Sequence, residues 1–287
     1  MKEIAEFRVL ERHAHLLFAP HEGQRLGDWI RRIEIRTDDP RFPRIRELQE
    51  QLNAQGDSFF LGWDLRRSYT RKELAVATRF QVIPSASFEP AGEDCGTRYT
   101  LGCKWCGGGA TPIGPLILGR RFPKKDFANT ITDELVASRL AVDAFRAARI
   151  TGVSFEPVYH GSPLVASKDR FQIIVRSDDA NVVFPTRAGG SIFNPDDESK
   201  YRCIEGHLLG LNIHSEAYVD RRSVCEYDIV ASRQFVGPKN TIGGGFARPR
   251  RLLFASRRVY DVVRAAGLKG WTFEIAREIE YSADDRQ

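Results

Sequence analysis

Leu135 to Glu156 reads LVASRLAVDAFRAARITGVSFE, and Leu253 to Glu274, 118 positions further on, reads LFASRRVYDVVRAAGLKGWTFE. Eleven of the 22 aligned positions are identical without a gap, which marks an internal duplication. Each copy opens with a short apolar strand, Leu135–Ala137 or Leu253–Ala255, and runs into Ser138 or Ser256, a residue type suited to capping a helix N-terminus. A helix follows and breaks before Gly152 or Gly270. An alternating strand then begins, Val153-Ser154-Phe155 or Trp271-Thr272-Phe273. Ala141, Phe145 and Ala148 fall at i, i+4 and i+7, matched by Val259, Val263 and Ala266, and mark the core face of each helix. Arg139, Asp143 and Arg146, with Arg257, Asp261 and Arg264, lie about 200° around the helix. They read either as exposed ion-pair ladders or as a duplicated interaction surface.

Working outward, the expected fold is α+β: two duplicated strand–helix–strand units packed together, with a zinc-knuckle-like loop and an extra N-terminal α/β segment. The corresponding divisions are residues 1–85, 86–165 and 166–287. In the first, Ile30 to Gln55 has helical periodicity interrupted by Pro40 and Pro43, Phe59–Leu65 reads as strand, and Thr70–Ala77 as a short helix. Between the copies, Phe171–Val175 and Asn181–Phe184 read as paired strands around the Asp178-Asp179 turn, and Asn194–Lys200 as a polar loop.

The chain has 287 residues, 42% hydrophobic and 28% charged, as expected of a globular protein with a full core. No apolar run reaches the roughly 18–20 residues that cross a bilayer, and Met1-Lys2-Glu3-Ile4 starts no signal peptide, so a cytoplasmic location is expected. The net charge is +5, with 34 Arg against 9 Lys. Arg forks suit acidic partners or phosphates, but GC-rich codon usage gives the same bias. Acids and bases are interspersed, as in Arg31-Arg32-Ile33-Glu34-Ile35-Arg36, so no nucleic-acid arm stands out.

All five cysteines lie beyond residue 94. Cys103-Lys104-Trp105-Cys106-Gly107 is a C-x-x-C followed by glycine, in which two thiolates converge on one tetrahedral ion and glycine permits the tight turn beneath it. Cys203-Ile204-Glu205-Gly206-His207 can complete a Cys₃His site, giving Cys103, Cys106, Cys203 and His207 as metal ligands. Cys95 is the nearest alternative, with Cys225 and His214 as spares. A redox pair and an ordinary loop remain open readings. Four protein ligands leave no position for water, so a zinc ion there is structural.

No P-loop, dinucleotide fingerprint, HExxH or GxSxG is present. Gly107–Gly109 and Gly243–Gly245 lack the Lys-Ser/Thr that phosphate binding needs. Asp196-Asp197-Glu198 reads as a solvated turn, and His160 has no catalytic partner placed by sequence. Cys225 sits by Glu226 and Asp228, which disfavour a thiolate. Arg120-Arg121 with Lys124-Lys125, and Arg248 with Arg250-Arg251, read as strand-edge charges or as phosphate grips. No catalytic residue is assigned, and a non-enzymatic binding protein is expected.

The Cys103–Gly107 knuckle, the Cys203–His207 turn and the closing strand–helix–strand Leu252–Arg277 together resemble the double-CXXCG-motif proteins of myxobacteria and relatives. The resemblance covers about the last 190 residues. Gly206-His207 stands where that family's second motif has Cys-Gly, so ligation there depends on His207. Some members are immunity proteins that bind and neutralise a toxin delivered by neighbouring cells. The resemblance therefore implies a cognate toxin as partner; the alternative is a nucleic-acid-binding zinc protein.

Overall fold

In the computed structural model, which describes residues 1–84, 87–119, 122, 124–193, 203–237 and 248–281, the protein is α+β and rich in strands. Arg120-Arg121, Asn194–Lys200 with its acidic run, and Gly243–Gly245 lie outside the described residues. The chain divides into two units, Met1–Val76 with Ser191–Phe193, and Ala77–Gly190 with Asn194–Gln287. Leu135–Glu156 and Leu253–Glu274 both fall in the second. Among the described residues no helix is long and apolar enough to cross a membrane.

The first unit runs β1 (Lys2–Leu10), α1 (Glu11–Ala14), β2 (Gln24–Leu26), β3 (Ile30–Arg36), α2 (Phe42–Ala54), β4 (Phe60–Ser68) and α3 (Arg71–Val76). Its strands form an antiparallel sheet in the order β2-β3-β1-β4. The helical periodicity expected from Ile30 holds only in α2. Ile30–Arg36 is a strand because Arg31, Ile33 and Ile35 alternate inward with period two. Arg31 accepts burial by donating to Glu11 and to the Ala19 carbonyl, each at 2.9 Å. Pro43 starts α2 rather than breaking it, since the first turn needs no intrahelical N–H. Ile45, Leu48 and Leu52 of α2 then share a core with Ala5, Phe7 and Val9 of β1.

The second unit begins with β5 (Arg79–Pro84), β6 (Ser87–Phe88), β7 (Arg98–Tyr99), β8 (Pro112–Ile113), β9 (Phe127–Thr130), β10 (Leu135–Ser138), α4 (Arg139–Ala147) and β11 (Val153–His160). It continues through β12 (Val165–Val175), β13 (Ala188–Gly189), β14 (Leu208–Gly210), β15 (Asn212–Ile213), β16 (Tyr218–Asp220), β17 (Ile229–Val236), β18 (Arg250–Ser256), α5 (Arg257–Ala265) and β19 (Trp271–Ile279). Two sheets dominate, ordered β11-β12-β10-β9-β6 and β14-β17-β18-β5-β19-β16.

The sheets share a local pattern. In one, β12 lies antiparallel between β10 and β11, so Gln172 faces Val136 on one side and Glu156 on the other. In the other, β5 lies antiparallel between β18 and β19, and Gln81 faces Phe254 and Glu274. Arg79-Phe80-Gln81 and Arg170-Phe171-Gln172 occupy matching places, although they stand 91 residues apart and a shift of 118 does not align them.

Both helices bury their apolar faces in one core, with Ala141 and Phe145 from α4 and Val259 and Val263 from α5. Phe127 and Trp271 stack within it, ring centroids 3.9 Å apart. The glycines just before β11 and β19 are needed for close approach as well as for the turn. A Cβ on Gly270 would lie 1.8 Å from the Phe127 carbonyl oxygen, and one on Gly152 would lie 2.0 Å from that of Ile229.

Several expectations change. Ser138 caps α4, accepting from Ala141 N–H, whereas Ser256 makes no cap bond, although each serine gives its hydroxyl to an aspartate. Arg257 pairs with Asp261 at 2.9 Å, whereas Arg139 reaches the Lys168 carbonyl at 2.6 Å and lies over the Phe171 ring. Asn181–Phe184 forms no hairpin with Phe171–Val175; Ala180 and Val182 make single bridges to Ser232 and Val219. Elsewhere, β14 pairs with β17 and β15 with β13, and Gly210 at the end of β14 packs closely on Gly189.

Candidate metal centre

Cys103 and Cys106 stand in the loop between β7 and β8, whose pairing closes its base. Within it, Gly107 N–H donates to the Cys103 carbonyl at 2.7 Å, and Cys103 N–H donates to that of Gly108 at 2.8 Å. Gly107 adopts φ 73°, a left-handed conformation that favours glycine. Cys203 heads a second tight turn, where Gly206 N–H returns to its carbonyl at 2.8 Å and Gly206 also has φ 73°. His207 follows at the start of β14 and is fixed through its carbonyl, which accepts from Phe235 N–H at 2.7 Å.

The fold brings these turns together across 100 residues. Cys103 Sγ lies 3.7 Å from Cys203 Sγ, and Cys106 Sγ lies 3.2 Å from His207 Nε2. The four ligand atoms all lie within 4.8 Å of one another. Cys106 and Cys203 are buried and Cys103 and His207 half-buried, so the set could hold a metal ion away from bulk water. Trp105 Nε1 donates to Glu205 at 3.1 Å and ties one turn to the other.

The thiols differ. Burial disfavours the Cys103 thiolate, but the N–H groups of Trp105 and Cys106 outweigh it and hold this thiol below its ordinary value. Burial pushes the Cys106 thiol up to about 12, against the Gly108 N–H. A bound cation would draw off both protons, because a metal-ligating sulfur is a thiolate.

The other candidates lie elsewhere. Cys95 belongs to the short turn Gly92–Cys95, where burial and then Asp94 raise its thiol. Cys225 is exposed and faces the Arg222 carbonyl. His214 is buried against the Gly189 carbonyl, and His160 meets that of Leu118, both at 3.1 Å.

One polar constellation had been passed over in the sequence. In Thr130-Ile131-Thr132-Asp133-Glu134, the buried Glu134 carboxylate accepts from both threonine hydroxyls, at 2.7 Å from Thr132, and Tyr99 joins Thr132 at 3.1 Å. Beside it, Asp133 has φ 77°, and burial raises its carboxyl to about 6, with Arg250 pulling the other way. Clustered hydroxyls and carboxyls between two apolar strands were the available signal. A scan against protein-family models finds no match for the chain, and a search of the curated proteins finds none either.

Proposed function

We propose that the chain is a zinc-stabilised immunity protein that neutralises a cognate toxin by binding it, without catalysis. The observation that carries the zinc is the convergence of Cys103, Cys106, Cys203 and His207 on one small volume. Three thiolates and an imidazole suit zinc, and four protein ligands leave no open position, which makes the ion structural. It would join the Cys103–Gly107 knuckle to the Cys203–His207 turn and set His207 in the place of the missing second-motif cysteine.

The duplication is part of this reading. It is supported by the matching registers around Gln81 and Gln172 and by the paired glycine approaches at Gly152 and Gly270. β5, which precedes the first copy in the chain, lies between the two strands of the second, which ties the halves together.

The toxin partner follows from the double-CXXCG resemblance. The surfaces available to it include the charged faces of α4 and α5 and the first unit, where Trp29 is 74% exposed. Protein binding is favoured over nucleic acid because many arginines already serve the chain's own carboxylates and carbonyls, as Arg31, Arg79 and Arg277 do. The test is co-expression with the product of a neighbouring toxin gene. Restored growth and a co-purifying complex are expected; undiminished toxicity overturns the immunity reading, and metal-free refolded protein overturns the zinc.

A further inference from the structure

We propose that a cleft in the second unit binds a small zwitterionic ligand of short-peptide size, its carboxylate end held by Arg248 and Arg250 and its ammonium end by Asp133. This goes beyond the immunity reading and needs no toxin.

The cleft has a cavity volume of about 710 Å³, inside the range of roughly 300–1,000 Å³ that holds drug-sized ligands. Matching positions line it from two sides: Val82 and Ile83 of β5 with Ile173 and Ile174 of β12, and Leu135 with Leu253. These supply an apolar floor. The segment Gly107–Thr111, which continues from Cys106, contributes a further wall.

Several charged groups on the walls are already engaged. Glu134 is satisfied by the hydroxyls of Thr130 and Thr132. Arg251 pairs with Asp178 and donates to the Ser232 carbonyl, both at 2.6 Å. Besides the exposed Glu156 and Arg176, which also line the cleft, three others have bonding capacity to spare. Among the described residues, the Asp133 carboxylate receives one long hydrogen bond, from Asn129 Nδ2 at 3.3 Å. Arg250 makes no ion pair among the described residues, and its charge acts on Asp133 across a gap rather than by contact. Arg248 donates one nitrogen to Glu93 at 3.0 Å and stacks on Tyr99, and among the described residues its Nη1 has no partner.

Guanidinium groups on the wall of a cleft hold a carboxylate through charge-assisted hydrogen bonds, which Arg248 and Arg250 can both supply. An acid and a base that face each other without meeting fit a ligand with opposite charges at its ends. An anion alone would leave Asp133 uncompensated; a cation alone would leave Arg250 so. The cleft is larger than one amino acid needs, hence the short-peptide size.

The experiment titrates the full chain with an equimolar mixture of tripeptides bearing uncharged side chains and free termini, followed by native mass spectrometry. The same mixture is then offered N-acetylated, and again C-amidated. Binding of the free peptides is expected, with a loss of roughly tenfold or more on capping either end. Asp133→Asn and Arg250→Gln should each lose a similar factor, with circular dichroism unchanged; asparagine tolerates the left-handed backbone at 133. No binding of the free peptides overturns the proposal. So does equal binding of free and capped peptides, or binding that both variants retain.

Discussion

The Asp126 carboxylate accepts a hydrogen bond from the backbone N–H of Lys269, 2.9 Å away and 143 residues along the chain. Asp228 makes the matching bond to Thr151 N–H, also at 2.9 Å. Each aspartate in addition holds the serine that opens its own helix, Ser138 at 2.8 Å and Ser256 at 2.7 Å. One carboxylate thus joins the start of one helix to the segment that follows the other. Hydrogen bonds to a charged group contribute about 1.5–3 kcal/mol. Asp126→Ala should therefore cost roughly 2–4 kcal/mol, read as a lower urea midpoint, and Asp228→Ala about the same. A loss below about 0.5 kcal/mol would show that these long-range bonds are not holding the fold.

The glycine approach is steeper. At Gly270, φ is 112° and a methyl group would overlap the Phe127 carbonyl, so both conformation and space reject a side chain. Gly270→Ala should destabilise by about 3 kcal/mol or more, and Gly152→Ala, against Ile229, by a similar amount. Gly267→Ala is the control, since nothing lies within 4 Å of its Cβ and only its φ of 64° is strained. A smaller loss, near 1 kcal/mol, is expected there.

These contrasts show what could be read from the chain. Leu135–Glu156 and Leu253–Glu274 were legible because each is a contiguous strand–helix–strand with its own periodicity. The convergence of Cys103, Cys106, Cys203 and His207, which could hold a metal ion, was legible because ligand chemistry restricts which residue types can serve. The middle strands were not, since Arg79-Phe80-Gln81 and Arg170-Phe171-Gln172 match over only a few residues at a different spacing. Which sheet each joins depends on pairing between distant segments. Ile30–Arg36 misled because three isoleucines spaced by three and two satisfy both periods in so short a run. The cleft was invisible for a plainer reason: Asp133, Arg248 and Arg250 come together only through the sheets.

Metal removal provides a further check. Purified protein should carry about one zinc per chain, lost on prolonged chelation and on acidification, because protons compete for the thiolates and the imidazole. Apo protein should be less stable by an amount on the order of several kcal/mol. Cys106→Ser and His207→Ala should reproduce that loss, whereas Cys95→Ser and Cys225→Ser should keep the metal. Metal retained in His207→Ala but lost in Cys95→Ser would replace the fourth ligand.

Asp133 ties stability to binding, and its pH dependence has a definite sign. Unfolded, its carboxyl ionises near the ordinary 3.8; folded, burial raises that to about 6. Between these values the folded state binds more protons, so this residue's contribution to stability falls as pH rises from about 4 to 6 and is constant above. At pH 7 the ionised side chain destabilises the fold, by on the order of 1–2 kcal/mol once solvent at the cleft is allowed for. Asp133→Asn removes the charge while keeping a residue that accepts left-handed backbone. Urea titrations at pH 4 and pH 7 should find the variant near wild type at the lower pH and more stable at the higher. A variant less stable than wild type at pH 7 would mean that Arg250 compensates the charge fully. A gain in stability accompanied by weaker tripeptide binding is the combination expected of a carboxylate retained for its ligand rather than for the fold.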